Sequence, residues 1–380
     1  MQLDTVQPRS YRQSILSFDT LQSHVRISGW VVWLAAFLLL GELLLRVPAI
    51  QAALPAPEPT LWHTKLIQAK MDYLKAFQQS QGIDLLFMGN STTQAGFNPE
   101  LFDQNRPRNG EEGSFNAAIE GLPPFGNFMF LEIFLRYSKP KQIIFGLTPQ
   151  DLNSNSPWAE DITDRVEHSP MALAESRTGI RGHVLNFFLS NSMLFRYRFV
   201  LHQLLITGAM PEPINVYYNE RGYHDLQDVL ADVDKGARGK FLNKAGVLNY
   251  SSKGIQIESL RKILRLAKEQ GIQVALVNMP LADDYDSNFD NLAAKDEYLN
   301  AAKQVAAEFG LPLWDMENLP ADQQFGDADF GDLNHLNERG ATRLTSKIWS
   351  AKPGTVGTTP WPAPNGSFGP RRLTFGGALT

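Results

Sequence analysis

The chain of 380 residues contains no cysteine. That removes disulfides, a thiolate nucleophile and thiolate-bound metals. It has no long run of basic residues and a formal net charge of −5, which argues against a nucleic-acid groove. Histidine is scarce, with seven residues, and only His335 stands in an Asp-x-x-His frame. The aspartates at 283, 284, 286 and 290 lack the central glycine and terminal glutamate of an EF-hand loop, so they read as a solvated loop. Asp332 and His335 have no third ligand in spacing, so no metal is expected there. No internal repeat is visible. What remains is 43% hydrophobic and 20% charged, enough for one generous α/β domain or one domain with an inserted piece.

The longest apolar run is residues 29–45, broken only by Glu42. It approaches the ~20 residues needed to cross a bilayer. Trp30 and Trp33 sit near one end, where aromatic rings favour the interface, and Glu42 lies near enough to the other to reach headgroups. A helix at a domain surface would show a polar face, and this run has none; a buried core helix is the alternative to a membrane span. The 28 residues ahead are long for a signal-peptide n-region, and 49–53 is a poor cleavage site. The expected organisation is a cytoplasmic tail over 1–28, an uncleaved transmembrane anchor over 29–46 and a linker over 47–60 stiffened by Pro55, Pro57 and Pro59. A folded domain over 61–350 and a flexible tail over 351–380 follow.

The folded region is organised around Gly89-Asn90-Ser91, which abruptly ends the apolar run 83–88. A strand ending there puts Ser91 at the carboxyl edge of a sheet, where open α/β folds keep their ligands. Taken alone, the stretch also reads as a strand entering a capped helix, since Asn and Ser are preferred caps. A second stretch shifts the balance: Gly331-Asp332-Leu333-Asn334-His335-Leu336-Asn337-Glu338-Arg339-Gly340, ahead of a helix near the end. A serine nucleophile needs a base, and the base needs an orienting carboxylate. His335 and Asp332 supply both types.

In these two blocks the sequence resembles the SGNH (GDSL-like) hydrolase superfamily. That family carries its nucleophile in a Gly-Asp-Ser turn after the first strand and an Asp-x-x-His before the last helix. Gly89-Asn90-Ser91 matches the first block with Asn in the Asp position, and Asp332 to His335 matches the last unchanged. The resemblance covers roughly 83–151 and 255–349. It implies a three-layer α/β/α sandwich with a mostly parallel, flavodoxin-like sheet. It also places Gly121, after an apolar stretch at 114–119, as an oxyanion donor beside the Ser91 N–H. A third donor is usually an Asn after the third strand, and here none stands in place. Thr148, Gln150 and Asn153 are the nearby candidates, and Gln150 is taken for the role. Asp151 reads as a loop-capping carboxylate.

Between the blocks, residues 152–252 fit no simple strand–helix repeat and are expected to form a helical insertion. The apolar 183–207 stretch would be one helix and 225–239 a polar one. The six other histidines, His224 among them, are set aside as lone residues. The resulting expectation is a membrane-anchored serine esterase or O-acyltransferase with Ser91, Asp332 and His335 as its triad and no cofactor. The resemblance suggests an acylated cell-envelope or exported glycan as substrate, a domain outside the cytoplasmic membrane, and an acyl-transfer or export partner there. A degenerate scaffold for polysaccharide export and a lipid-cleaving esterase are the alternatives.

Overall fold

The computed structural model describes residues 29–55, 62–105, 113–159, 162, 179–210, 215–242 and 244–350. The tails expected over 1–28 and 351–380, and residues 56–60 of the linker, lie outside the described residues. The chain divides into two compact units, Met1–Pro57 with Asn191–Pro211, and Glu58–Ser190 with Glu212–Thr380.

The first unit contains α1 (Gly29–Leu44) and α2 (Pro48–Ala53). Within the expected linker, residues 48–53 form a short helix that Pro48 opens; proline suits a first turn because its missing N–H would have no partner there. Helix α1 has 16 residues. Among the described residues no helix is long and apolar enough to cross a membrane, so the expected transmembrane span is not shown there. Glu42 is also reassigned. Its carboxylate accepts hydrogen bonds from Ser192 Oγ (2.9 Å), Met193 N (2.9 Å) and Leu194 N (3.0 Å), and pairs with Arg46 at 2.7 Å. It thus binds the exposed N–H groups of the next short helix, Met193–Arg196, where a negative charge is favoured. Leu45, Tyr197 and Val200 form this unit's small buried core.

The second unit holds a sheet of five parallel strands: β1 (Ile83–Met88), β2 (Gly113–Asn116), β3 (Gln142–Leu147), β4 (Gln273–Asn278) and β5 (Leu313–Asp315). Their order is β2-β1-β3-β4-β5. Apart from the buried Asp84, β1 is apolar on both sides, as suits a parallel strand covered on both faces. Leu86 and Met88 join one buried layer with helices Trp62–Ser80 and Ile255–Glu269. Leu85 and Phe87 join the opposite layer with Leu344 and Ile348 of the last helix, Glu338–Ser350. This is the expected three-layer α/β/α arrangement.

The inserted region differs from its expectation. Residues 179–207 form three helices, Gly179–Asn191, Met193–Arg196 and Arg198–Thr207, rather than one. Residues 225–242 hold only short 3-10 turns where a polar helix was expected, since Gly236 and Gly239 and the Asp234 side chain favour turns there. Residues 191–211 belong to the first unit and the rest of the insertion to the second, so the insertion is no single subdomain.

Candidate active site

Chain order and strand order part company around β1: its neighbours are β2 on one side and β3 on the other. Such a switch point opens a crevice at the carboxyl ends of the strands. Ser91 sits there as the first residue of helix Ser91–Gly96. Both readings of its stretch hold at once. Asn90 is the helix cap, its side-chain oxygen accepting the Thr92 N–H at 2.8 Å, and Ser91 follows it, buried at the strand end.

The turn is held from β3. Asn90 Nδ2 donates to both oxygens of Asp151 at 2.9 Å and to Thr148 Oγ1 at 3.1 Å. Asp151 also accepts from Thr148 N at 2.7 Å and Thr148 Oγ1 at 2.8 Å, closing a capping box. Gly89 and Gly146 face Thr93 tightly: a Cβ on Gly146 would lie 2.0 Å from Thr93 Oγ1, and one on Gly89 2.4 Å from it. Gly89 also has a φ of +143°, which only glycine adopts freely.

Burial pushes the Asp151 carboxyl up to about 7, against the hydrogen bonds of Thr148 and Asn90 that favour its charged form. Asp151→Asn would point an amide donor at donors that now find an oxygen. We expect it to cost about 1–3 kcal/mol of stability, read as a lower urea midpoint with unchanged slope.

The other half of the site comes from the loop before the last helix. Asp332 Oδ1 accepts the N–H groups of Asn334 (3.0 Å) and His335 (2.8 Å), a local turn that an aspartate makes readily. The Gly331 N–H donates to the His335 carbonyl at 2.9 Å, and Phe330 bridges Leu336. Asn337 fastens the loop to its surroundings, donating to the carbonyls of Ala328 (3.0 Å) and Phe330 (3.2 Å), and accepts the Gly340 N–H. The turn brings His335 Nδ1 to 2.8 Å from Asp332 Oδ2, and His335 Nε2 to 2.7 Å from Ser91 Oγ. A proton on Nδ1, donated to the carboxylate, leaves Nε2 to accept from the serine hydroxyl.

Burial raises the Asp332 carboxyl, but the His335 charge and hydrogen bond, with the two backbone donors, outweigh it and hold it below its ordinary value. Burial lowers the imidazole of His335. The Asp332 charge and hydrogen bond, then the charge of Glu120, outweigh that and leave it raised. The pair is thus poised for a carboxylate and an imidazole that gains a proton readily.

Of the expected oxyanion donors, Ser91 and Gly121 stand at adjoining turns, joined by a bond from Ile119 N to Gly89 O (3.2 Å). Among the described residues neither the Ser91 nor the Gly121 N–H has a partner. Gln150 is placed differently from the expectation. Its side chain packs against Gly246, where a Cβ would lie 3.2 Å from its Oε1. Thr148 is committed to Asp151, and Asn153 donates to the carbonyls of Gly246 (3.0 Å) and Leu248 (3.1 Å). Each of these side chains is drawn into holding the insertion or the β3 loop.

Three residues beside the site escaped the sequence reading: Glu120, Tyr217 and His224. Tyr217 donates its hydroxyl to Glu120, and its ring centroid lies 4.5 Å from that of His224. The available signal was Glu120 standing next to Gly121; nothing local pointed to the other two.

Fold and geometry define an open parallel α/β domain with a serine–histidine–aspartate hydrogen-bond chain at the carboxyl edge of its sheet. A family model described as a protein of unknown function (DUF1574) matches residues 159–346, and no curated protein matches the chain. Among solved structures the chain is similar to a lipase/acylhydrolase from Enterococcus faecalis, at 14% identity over 70% of this chain and 94% of that one, TM-score 0.34. It is also similar to a GDSL-like lipase from Bacteroides thetaiotaomicron, at 12% identity over 74% and 96%, TM-score 0.35. A third is an acetylxylan esterase from Geobacillus stearothermophilus, at 12% identity over 70% and 92%, TM-score 0.35.

Proposed function

We propose that this protein is a serine esterase or O-acyltransferase. The observation that carries the reading is the unbroken chain from Ser91 Oγ through His335 to Asp332, with steps of 2.7 and 2.8 Å. His335 Nε2 takes the hydroxyl proton as Ser91 Oγ attacks an ester carbonyl. The N–H groups of Ser91 and Gly121 face the oxygen that becomes negative. The protonated His335 returns its proton to the departing alcohol, leaving an acyl group on Ser91. Water or a second alcohol then takes that group, and this acceptor distinguishes hydrolysis from transfer. An acylated glycan of the cell envelope is the substrate we favour, with the domain outside the cytoplasmic membrane. A fluorophosphonate probe should label the wild-type chain and not Ser91→Ala. Equal labelling, or none, would remove the reading and favour a non-catalytic scaffold.

We further propose that the first unit rests on a membrane. Trp33 is 77% exposed, Phe37 72%, and Leu205 85%, apolar surface of a kind that soluble monomers seldom leave uncovered. The full chain should float with phosphatidylglycerol-containing vesicles, and the double variant Trp33→Glu, Phe37→Glu should stay at the bottom of the gradient. Equal flotation of both would end the proposal.

A further inference from the structure

The segment 215–224 lies far from any catalytic block in sequence, yet it is fixed firmly against the site. The Arg221 carbonyl accepts the Asn116 N–H at 2.9 Å, at the open edge of β2. Lys70, fully buried, donates to the carbonyls of Gly222 (2.7 Å) and Asn116 (3.1 Å) and lies 3.9 Å from the centre of the Tyr218 ring. A side chain at Gly222 would place its Cβ 2.0 Å from the Asn116 carbonyl oxygen, so the approach is open only to glycine. The His224 N–H donates to the Gln94 carbonyl at 3.2 Å, one helical turn beyond Ser91.

This anchoring sets Tyr217 and His224, each partly exposed, beside a partly exposed Glu120. Glu120 sits on the turn bonded to Gly89, and the His224 backbone is bonded to the helix that begins with Ser91, so the cluster lies beside the turn that carries the nucleophile. One Glu120 oxygen accepts from Tyr217. Among the described residues its other oxygen has no partner, although burial raises this carboxyl above its ordinary value. His335 feels the negative charge of Glu120, and His224 feels the charge of His335. None of the three takes part in the proton relay.

A carboxylate with a free acceptor, beside a phenol and an imidazole whose rings meet, suits a particular ligand chemistry. A hydroxyl can donate to the carboxylate while neighbouring C–H groups lie on the rings. An alkyl group in the same place would strip water from the carboxylate and return nothing to it.

We propose that Glu120, Tyr217 and His224 form a subsite for the alcohol half of the ester, reading a hydroxyl that neighbours the ester oxygen. This rests on the reading of Ser91 as an esterase nucleophile. The ligand class is a polyhydroxylated alcohol, and Glu120 is the specificity-determining residue.

The test compares two esters of nearly equal shape, 2-hydroxyethyl acetate and propyl acetate, on the full-length chain. The wild type should favour the hydroxylated ester by at least about tenfold in kcat/KM, since a site built for a hydroxyl rejects the analogue without it. Glu120→Gln should cut that ratio by about tenfold, and Tyr217→Phe, which keeps the ring, by a smaller factor. A wild-type ratio near one, or a ratio unmoved in both variants, overturns the subsite while leaving the esterase reading intact. Loss of turnover on both esters in equal proportion assigns Glu120 to His335 or to folding, and also overturns it. Absence of any Ser91-dependent turnover in the wild type removes the esterase reading, and the subsite goes with it.

Discussion

Ser91→Ala is expected to lower kcat/KM for an activated acetate ester by on the order of 10⁴–10⁶, with the fold unchanged. The size follows from the role. Ser91 Oγ is the atom that would bond to the acyl carbon, and no other hydroxyl is bonded to His335 Nε2 among the described residues. Ser91 is a buried small side chain at a strand end, held from both sides through Asn90 and Thr92, so removing its oxygen should change stability little. The unfolding midpoint and the circular-dichroism spectrum of the variant should match wild type. A fall of less than about tenfold would mean that another group attacks the ester, and the proposed chemistry would be wrong.

The second large effect is expected at Asp332. Asp332→Asn should lower kcat by about 10⁴ with the overall fold kept. Asp332 now accepts from His335 Nδ1 at 2.8 Å. An asparagine can offer an N–H there, which favours the tautomer with its proton on Nε2. That proton would face the Ser91 hydroxyl, and the imidazole could no longer take the serine's proton. The same pair sets the pH dependence. His335 must be neutral to act as base, and its protonated form is favoured by the Asp332 and Glu120 charges in spite of burial. In wild type, kcat/KM should therefore rise with pH through a midpoint above the ordinary imidazole value of 6.5. Glu120→Gln removes one of those charges, so its acid limb should move to lower pH. A limb that moves up, or a profile flat from pH 5 to about 9, would contradict the placement of His335 as base.

The linkage sign for His335 is separate from its role in rate. Its folded value lies above its ordinary 6.5, so the folded chain holds the extra proton more tightly than the unfolded chain. The resulting stability is complete below the ordinary value and fades as pH rises through the folded one. Asp151 works in the same direction over a lower window, since its folded value near 7 lies above its ordinary 3.8. Both contributions weaken as the solution becomes more alkaline, while activity rises.

Legibility in the sequence followed the range of the forces involved. β1 coincides with the apolar run 83–88, because buried parallel strands are short apolar runs and say so locally. Asp332 and His335 are three residues apart, and the turn that joins them is made by the aspartate itself. The Ser91 turn was equally local. Their meeting across 244 residues was not local, and was expected only from the order of motif blocks shared with a known superfamily. Where that order offers no guide, partners far along the chain decide what a side chain does. Gln150 was assigned an oxyanion role by position alone, and the structure lays it against Gly246, 96 residues on, a contact that no nearby residue announces. Apolarity alone gives the span expected over 29–46, and nothing near Glu42 in sequence announces that the N–H groups of residues 193 and 194 hold it.

By itself, the sequence determined the alternation of strands and helices, the turn that carries Ser91 and the turn that pairs Asp332 with His335. Each depends on side chains acting on backbone within a few residues of themselves. Only the tertiary structure decided that residues 217 and 224 stand beside Glu120, that Asn90 is held by Asp151, and that the inserted region is shared between two units. The reason is physical. A hydrogen bond such as that of Tyr217 to Glu120 spans 97 residues, and it forms because Lys70 and the edge of β2 bring the two backbones together, not because of anything written beside either residue.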